Sequence, residues 1–314
     1  MIEAQAEWPE LSEARDGPTI AALHLFSQIV GKVAVAAVPW RNHGWHATLH
    51  LWPRGLRTEP IHLPQGSFEL AFDLINHRLT LESSAGARLG VPLRPMSVAD
   101  FHAEAIAMLA EAGIQVAIHS RPNELDPAVP FSEDRELRRY DPDSAGRLLR
   151  VLLSADRLFR LFRSSFLGKV SPVHFFWGSF DLAVTRFSGR SAPLHPGGIP
   201  NLPDAVTREA YSHEVSSAGF CPGGAAGGTP LFYSYAYPVP EGFAAARVRP
   251  DSARFDEALG EFVLEYEAVR SSANPDAAVL AFLESTYAAA ADLGGWDRAA
   301  LDCALGQPRV PRAV

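Results

Sequence analysis

Between Gly168 and Pro222 the chain places three of its eleven histidines, His174, His195 and His213, close to Asp181, Glu209 and Glu214. Imidazoles and carboxylates bind divalent metals and move protons near neutral pH. Apolar runs hold these residues and Gly/Pro turns separate them, the setting in which a rigid scaffold carries a site. The stretch 204–214 reads as a short helix, which would put Glu209 and His213, four residues apart, on one face. His174 in a strand and His195 in the loop HPGG would then complete a metal shell. Two or three neutral imidazoles with a carboxylate suit Fe, Mn or Zn. The chemistry expected is that of a metal-dependent enzyme acting on a small molecule, with oxidoreductase or oxygenase placed ahead of hydrolase.

Asp181 would be a general base or the outer partner that orients a histidine, with Tyr211 beside it. Arg186 and Arg190 offer bidentate forks for an anionic group on the substrate. By strand alternation Asp181 and Arg186, five residues apart, face opposite sides. Trp177 and Tyr235 would wall the substrate, together with Tyr233 and Tyr237. Plainer readings stand beside these. A Glu/His pair at four-residue spacing is also an ordinary surface pair, His174 can be a satisfied core histidine, and His195 can stabilise the turn at Pro196. Two other functions follow from those readings: a non-catalytic ligand-binding or interaction module, and a metal-free acid–base enzyme using His174 with Asp181. His46 and His50, on one face of a strand, are a lesser metal option.

Other chemistries lack their signatures. PGGIPN and CPGGAAGG are glycine-rich but have neither the Walker lysine nor dinucleotide spacing, and GxSxG and HExxH do not occur. Nothing around Cys221 lowers a thiol pKa, which argues against a cysteine nucleophile. The 314 residues include only two cysteines, so there is no disulfide framework. A formal net charge of −8 argues against a general nucleic-acid surface. The acidic start MIEAQAEWPELSEARDG does not read as a signal peptide, and no uninterrupted apolar run reaches the roughly 18 residues of a membrane span. The expected partner is a small-molecule substrate and the expected location cytoplasmic, with no nucleic acid and no membrane.

These residues need elements to position them. A helix is expected over 18–30, opened by Pro18 and closed by Gly31, followed by a buried strand over 32–40. Strands follow over 45–52, 68–74 and 78–82, and Ser97 with Asp100 caps a helix that Gly113 ends. A short strand is expected over 114–118. Segment 120–140 is Pro-rich and charged and reads as a linker or surface wrap. Asp141-Pro142 opens the longest helix, to about Phe166, whose arginines (Arg147, Arg150, Arg157, Arg160, Arg163) form a solvated face or an anion-binding wall. Strands 170–177, 180–187, 231–237 and 261–268 and a helix over 275–292 complete the pattern, and the tail QPRVPRAV reads as disordered.

The halves echo each other. GKVAVAAVPW (31–40) and GKVSPVHFFW (168–177) share Gly-Lys-Val and a Trp at the same offset, which aligns His174 with Ala37. The fold class expected is α+β, with two tandem, similar helix–strands–helix halves packed as one pseudo-symmetric unit. Residues 1–130 would be scaffold and 131–314 would carry the site, with a pocket at or near the seam. The stretches WPEL, LHLFSQIVGK, GKVSPVHFFWGSFDLAVTRFSGR, HPGGIPN and REAYSHEVSSAGF resemble DUF5996, a bacterial family of unknown function, over nearly the whole chain. The resemblance implies no activity. Cys221 departs from the pattern, which has an aromatic residue there, and this counts further against a cysteine nucleophile.

Overall fold

Helix α1, Glu13–Ala37, organises the molecule: every residue from Ala22 to Ala34 is buried. It is five residues longer than expected at its start and seven longer at its end, for two physical reasons. At the start, Asp16 reaches back to accept from the Ser12 N–H at 2.8 Å, and Arg147 holds its other oxygen at 2.6 Å. At the far end Gly31 is no stop signal. The Trp177 indole lies where a Cβ on Gly31 would sit, 2.3–2.4 Å away, so the glycine is there to admit the ring. The expected strand 32–40 is therefore mostly helix, and the alignment of 31–40 with 168–177 pairs a helix with a loop and strand. Long, apolar α1 passes by length and composition for a membrane span, yet 78% of its most apolar window is buried inside the fold.

The computed structural model describes residues 7–225 and 227–312. The start of the acidic N-terminal stretch, residues 1–6, and the last two residues of the tail lie outside them. Within the tail, Gln307 and Val310 pair as a short bridge rather than trailing as disordered chain.

After α1 come strands β1 Thr48–Trp52, β2 Gly55–Arg57, β3 Ile61–Leu63, β4 Gly66–Asp73, β5 Arg78–Ser83 and β6 Arg88–Pro92, then helix α2 Val98–Glu111. The α2 cap is as read: the Ser97 hydroxyl accepts from the Asp100 N–H at 3.0 Å. Residues 114–118 form no strand, and 120–140 is irregular. Helix α3 is Pro142–Arg163, followed by β7 His174–Phe176, β8 Asp181–Ser191, α4 Asp204–Ala210, β9 His213–Cys221 and β10 Leu231–Tyr237. Strands β11 Arg254–Asp256 and β12 Glu261–Glu265 and helices α5 Tyr266–Arg270, α6 Pro275–Leu293 and α7 Arg298–Leu301 close the chain.

The fold is α+β. The strands join in one antiparallel sheet, ordered β11-β12-β10-β9-β8-β7-β1-β2-β4-β5-β6, with β3 beside β4. The β1–β7 pairing, Thr48↔Phe176 and Leu49↔Phe175, makes the sheet continuous across residue 130, and one apolar core runs through both spans. The arginines of α3 fit the solvated face: Arg157, Arg160 and Arg163 are exposed, and their partners are groups of the chain itself. Arg147 pairs with Asp16, Arg157 with Asp276 and Glu7, and Arg160 with Asp156, while Arg163 donates to the Ser171 carbonyl.

Candidate functional site

Along β8 the alternation is strict. Leu182, Val184 and Arg186 face α3 and α6, while Asp181, Ala183 and Thr185 face a cavity of about 740 Å³. Strands β8, β9, β10 and β12 form its floor. Its roof is the long segment between β8 and β9, with α4 inside it, plus Asn123 and Glu124 from the stretch read as a linker. His43 to Ala47 close one end, where Phe176 of β7 also lines the cavity beside the β1–β7 seam, so the cavity draws on both spans of the chain.

Asp181 sits on this floor at 6% exposure. Two hydroxyls donate to it, Ser179 Oγ from the β7–β8 turn and Tyr233 Oη from β10. Tyr233 must cross β9 to reach β8. It does so over Gly219, where a Cβ would lie 2.3–2.4 Å from the phenol. Burial raises the Asp181 pKa against the pull of these two hydrogen bonds.

Glu124 is held with equal care. The Gln28 amide of α1 clamps the backbone of Asn123, accepting from its N–H at 3.0 Å and donating to its carbonyl at 3.1 Å. Glu124 itself has φ 59°, and its N–H donates to the Pro200 carbonyl at 2.9 Å. Its carboxyl then lies over Gly178, where a Cβ would come within 2.1 Å of Oε1. Buried His24 supports the same turn: Nε2–H donates to the Gly178 carbonyl at 2.8 Å and Nδ1 accepts from the Ala225 N–H at 3.0 Å. Burial pushes His24 down to about 4, so it is neutral and keeps that tautomer. On β12, Glu261 also faces the cavity. Burial first, and the nearby Asp181 second, push Glu124 and Glu261 each up to about 7.

Of the residues read from the sequence, Asp181, Trp177, Tyr211, Tyr233 and Tyr235 line this cavity. The Tyr211 and Tyr235 hydroxyls bond each other at 2.8 Å. The remaining residues lie elsewhere. His174 is buried in β7 against Trp45 and Phe176, neither ring nitrogen has a hydrogen-bond partner among the described residues, and burial pushes it down to about 3. It has no bond to Asp181. His195 stacks on Tyr211 with ring centroids 4.8 Å apart, and its Nδ1 accepts from the Gly197 N–H.

The helix expected over 204–214 ends at Ala210, and His213 opens β9, so Glu209 and His213 share no helix face. Glu209 accepts from the His43 N–H at 2.8 Å, and the His213 ring meets the His43 ring edge-on at 5.6 Å. Among the described residues, no three His, Cys, Asp or Glu side chains stand together in a way that could hold a metal ion. The four expected ligands therefore do not fit a single Fe, Mn or Zn ion in this arrangement.

The expected anion forks are both occupied. Arg186 lies on the helix-covered face at 2% exposure, stacked 3.5 Å over Phe162 and donating to the Phe162 carbonyl and to Ser165. Arg190 pairs with Glu214 at 2.7 Å and donates to the carbonyls of Gly294 and Gly295 at the end of α6. Cys221 lines the cavity, but burial pushes its thiol up to about 11, which leaves it a poor nucleophile.

Sequence reasoning missed Glu124, Glu261, Ser179 and the role of Tyr233. Glu124 carries no local signal, because its place is fixed by α1 and by residues 200–201, far away in sequence. Tyr233 was readable only as one tyrosine of an alternating strand. Its partner Asp181 lies two strands away, and the clue is the small residue, Gly219, between them.

The fold and site define an α+β protein with a roofed, carboxyl-bearing cavity on one face of its sheet. By its match over residues 8–303 the chain belongs to DUF5996, a family of unknown function. No curated protein and no solved structure matches it.

Proposed function

We propose that the cavity is the reaction site of an enzyme that moves protons on a small molecule, with Asp181, Glu124, Glu261 and Tyr233 as the groups that give and take them. One observation carries this reading: two carboxyls pushed up to about 7 share a cavity with the buried, tyrosine-bonded Asp181. A carboxyl with that pKa is part ionised at neutral pH, so it can serve as acid or base without a large driving-force penalty. Tyr233 points its proton at Asp181, and burial raises its own pKa further, so it serves as a donor rather than as a base. Because their four expected ligands share no centre, no step is assigned to Fe, Mn or Zn.

The test incubates the purified protein with a mixture of small metabolites in D2O and follows new masses by mass spectrometry. The reading expects deuterium uptake or a new product that depends on Asp181 and survives a chelator. The same change with Asp181→Asn would sink it. Loss on chelation and recovery with zinc, manganese or iron would restore the metal-dependent reading. An intact cavity that binds but never turns over a ligand would leave the binding module.

We also infer that the two halves are related by duplication. The support is topological: from the β1–β7 joint each set of strands runs outward, β1-β2-β4-β5-β6 one way and β7-β8-β9-β10-β12-β11 the other. A long helix precedes each set and another follows it.

A further inference from the structure

The charges around the cavity are lopsided. We propose that its ligand is an organic cation, an ammonium group on an apolar or aromatic body, seated among Glu124, Asp181 and Glu261. This rests on the reading of the cavity as a small-molecule site.

The three carboxyls have no basic partner. Asp181 is bonded only by the hydroxyls of Ser179 and Tyr233, and no hydrogen bond or ion pair reaches the carboxyl oxygens of Glu124 or Glu261 among the described residues. The one arginine in the lining, Arg254, is taken up by Asp256 at 2.7 Å and Glu265 at 3.5 Å. Like-charged groups crowded into one cavity oppose folding, and such strain is tolerated where a bound partner relieves it. A cation relieves it and an anion adds to it.

The walls say what kind of cation. Tyr233 and Tyr235 present aromatic rings, which attract an ammonium ion held near their faces, whereas the Trp177 indole packs on Gly31 and already carries the Lys32 ammonium 5.5 Å from its centroid. Ile199, Leu202 and Val206 of the roof supply an apolar wall for an organic body. An inorganic ion is not matched, because the acids do not converge as ligands. A second, independent feature also points to a ligand. Thr207 of α4 lines the cavity at 1% exposure, and its hydroxyl has no hydrogen-bond partner among the described residues. A buried hydroxyl left unpaired costs stability, and a polar atom on the ligand can satisfy it. A volume of about 740 Å³ admits a molecule of that description.

The test is isothermal titration of the full chain at pH 7 with three probes of one shape: 2-phenylethylamine, 2-phenylethanol and phenylacetate. The amine should bind at least roughly tenfold more tightly than the alcohol, and phenylacetate more weakly still. Asp181→Asn and Glu261→Gln should each erase that preference while leaving the alcohol unchanged. Repeating the amine titration in buffers of different ionisation enthalpy should show protons released, because the cation draws the carboxyls into their charged form. The proposal falls if the alcohol or phenylacetate binds as well as the amine, if the two variants keep the amine preference, or if the amine does not bind at about 10 mM. Those failures concern the ligand's charge. The proton-transfer reading fails separately, by turnover that survives Asp181→Asn.

Discussion

Glu124 and Glu261 carry a stability cost that can be measured without knowing the ligand. In an unfolded chain a glutamate ionises near 4.5, whereas folded they hold their protons to about 7, because burial and the neighbouring Asp181 disfavour the charge. Folding therefore takes up protons between those values, and the contribution of these groups to stability falls as pH rises through that window. His24 and His174 work the other way. Pushed down to about 4 and about 3 by burial, they lose stability as pH falls below 6.5. The variants separate the two effects. Glu124→Gln and Glu261→Gln should each raise the melting temperature at pH 8, by roughly 2–5 °C, and leave it nearly unchanged at pH 4.5. Thermal unfolding at the two pH values checks this, and a variant that melts lower than wild type at pH 8 would remove the case for an uncompensated charge.

At the scale of elements, what was legible depended on whether the signal was local. Strand β10 was read at its full extent, Leu231–Tyr237, because its tyrosines alternate. The Ser97 cap is a contact between residues three apart and was read as well. Strand β9 was not read, because its residues are small, and they are small for a distant reason: Tyr233 has to pass over Gly219. The end of α1 was misread in the same way. Gly31 has the look of a helix stop, and only the Trp177 ring, 146 positions along the chain in sequence, shows why it lies inside a helix.

That contact reverses the usual sign of a glycine substitution. Alanine is the better helix former by about 1 kcal/mol. At Gly31, however, its Cβ would fall 2.3–2.4 Å from the indole of a tryptophan that itself lines the cavity. Overpacking a core by one methyl costs about 1–3 kcal/mol. Gly31→Ala should therefore destabilise the protein on net, and Trp177 fluorescence should change with it. A denaturant midpoint equal to or above wild type, at unchanged slope, would mean the ring yields freely and does not depend on the glycine.

For the whole molecule, the division at residue 130 does not follow the physical connections. Helix α1 belongs to the first span in sequence, yet His24 and Gln28 both hold the Gly178 turn of the second. Asp16 anchors α3, and the Trp177 ring packs on Gly31. Residues 131–314 alone would leave Arg147 without Asp16, the nearer of its two carboxylates, and the cavity without Glu124 and the clamp that sets it. They would also leave β7 as an exposed edge where β1 should pair. Residues 1–130 alone would expose the α1 face that Phe180 and Trp177 cover. The intact chain should thus unfold in one transition, with far-ultraviolet circular dichroism and Trp fluorescence coincident, and neither span should show a cooperative transition when produced by itself. If 131–314 folded alone, the site would stand independently of the first span, and the α1 contacts would be ornament to it. If instead the spans fold only when mixed, the β1–β7 joint and α1 are what make the cavity, and the carboxyl cluster is a property of the assembled sheet rather than of either half.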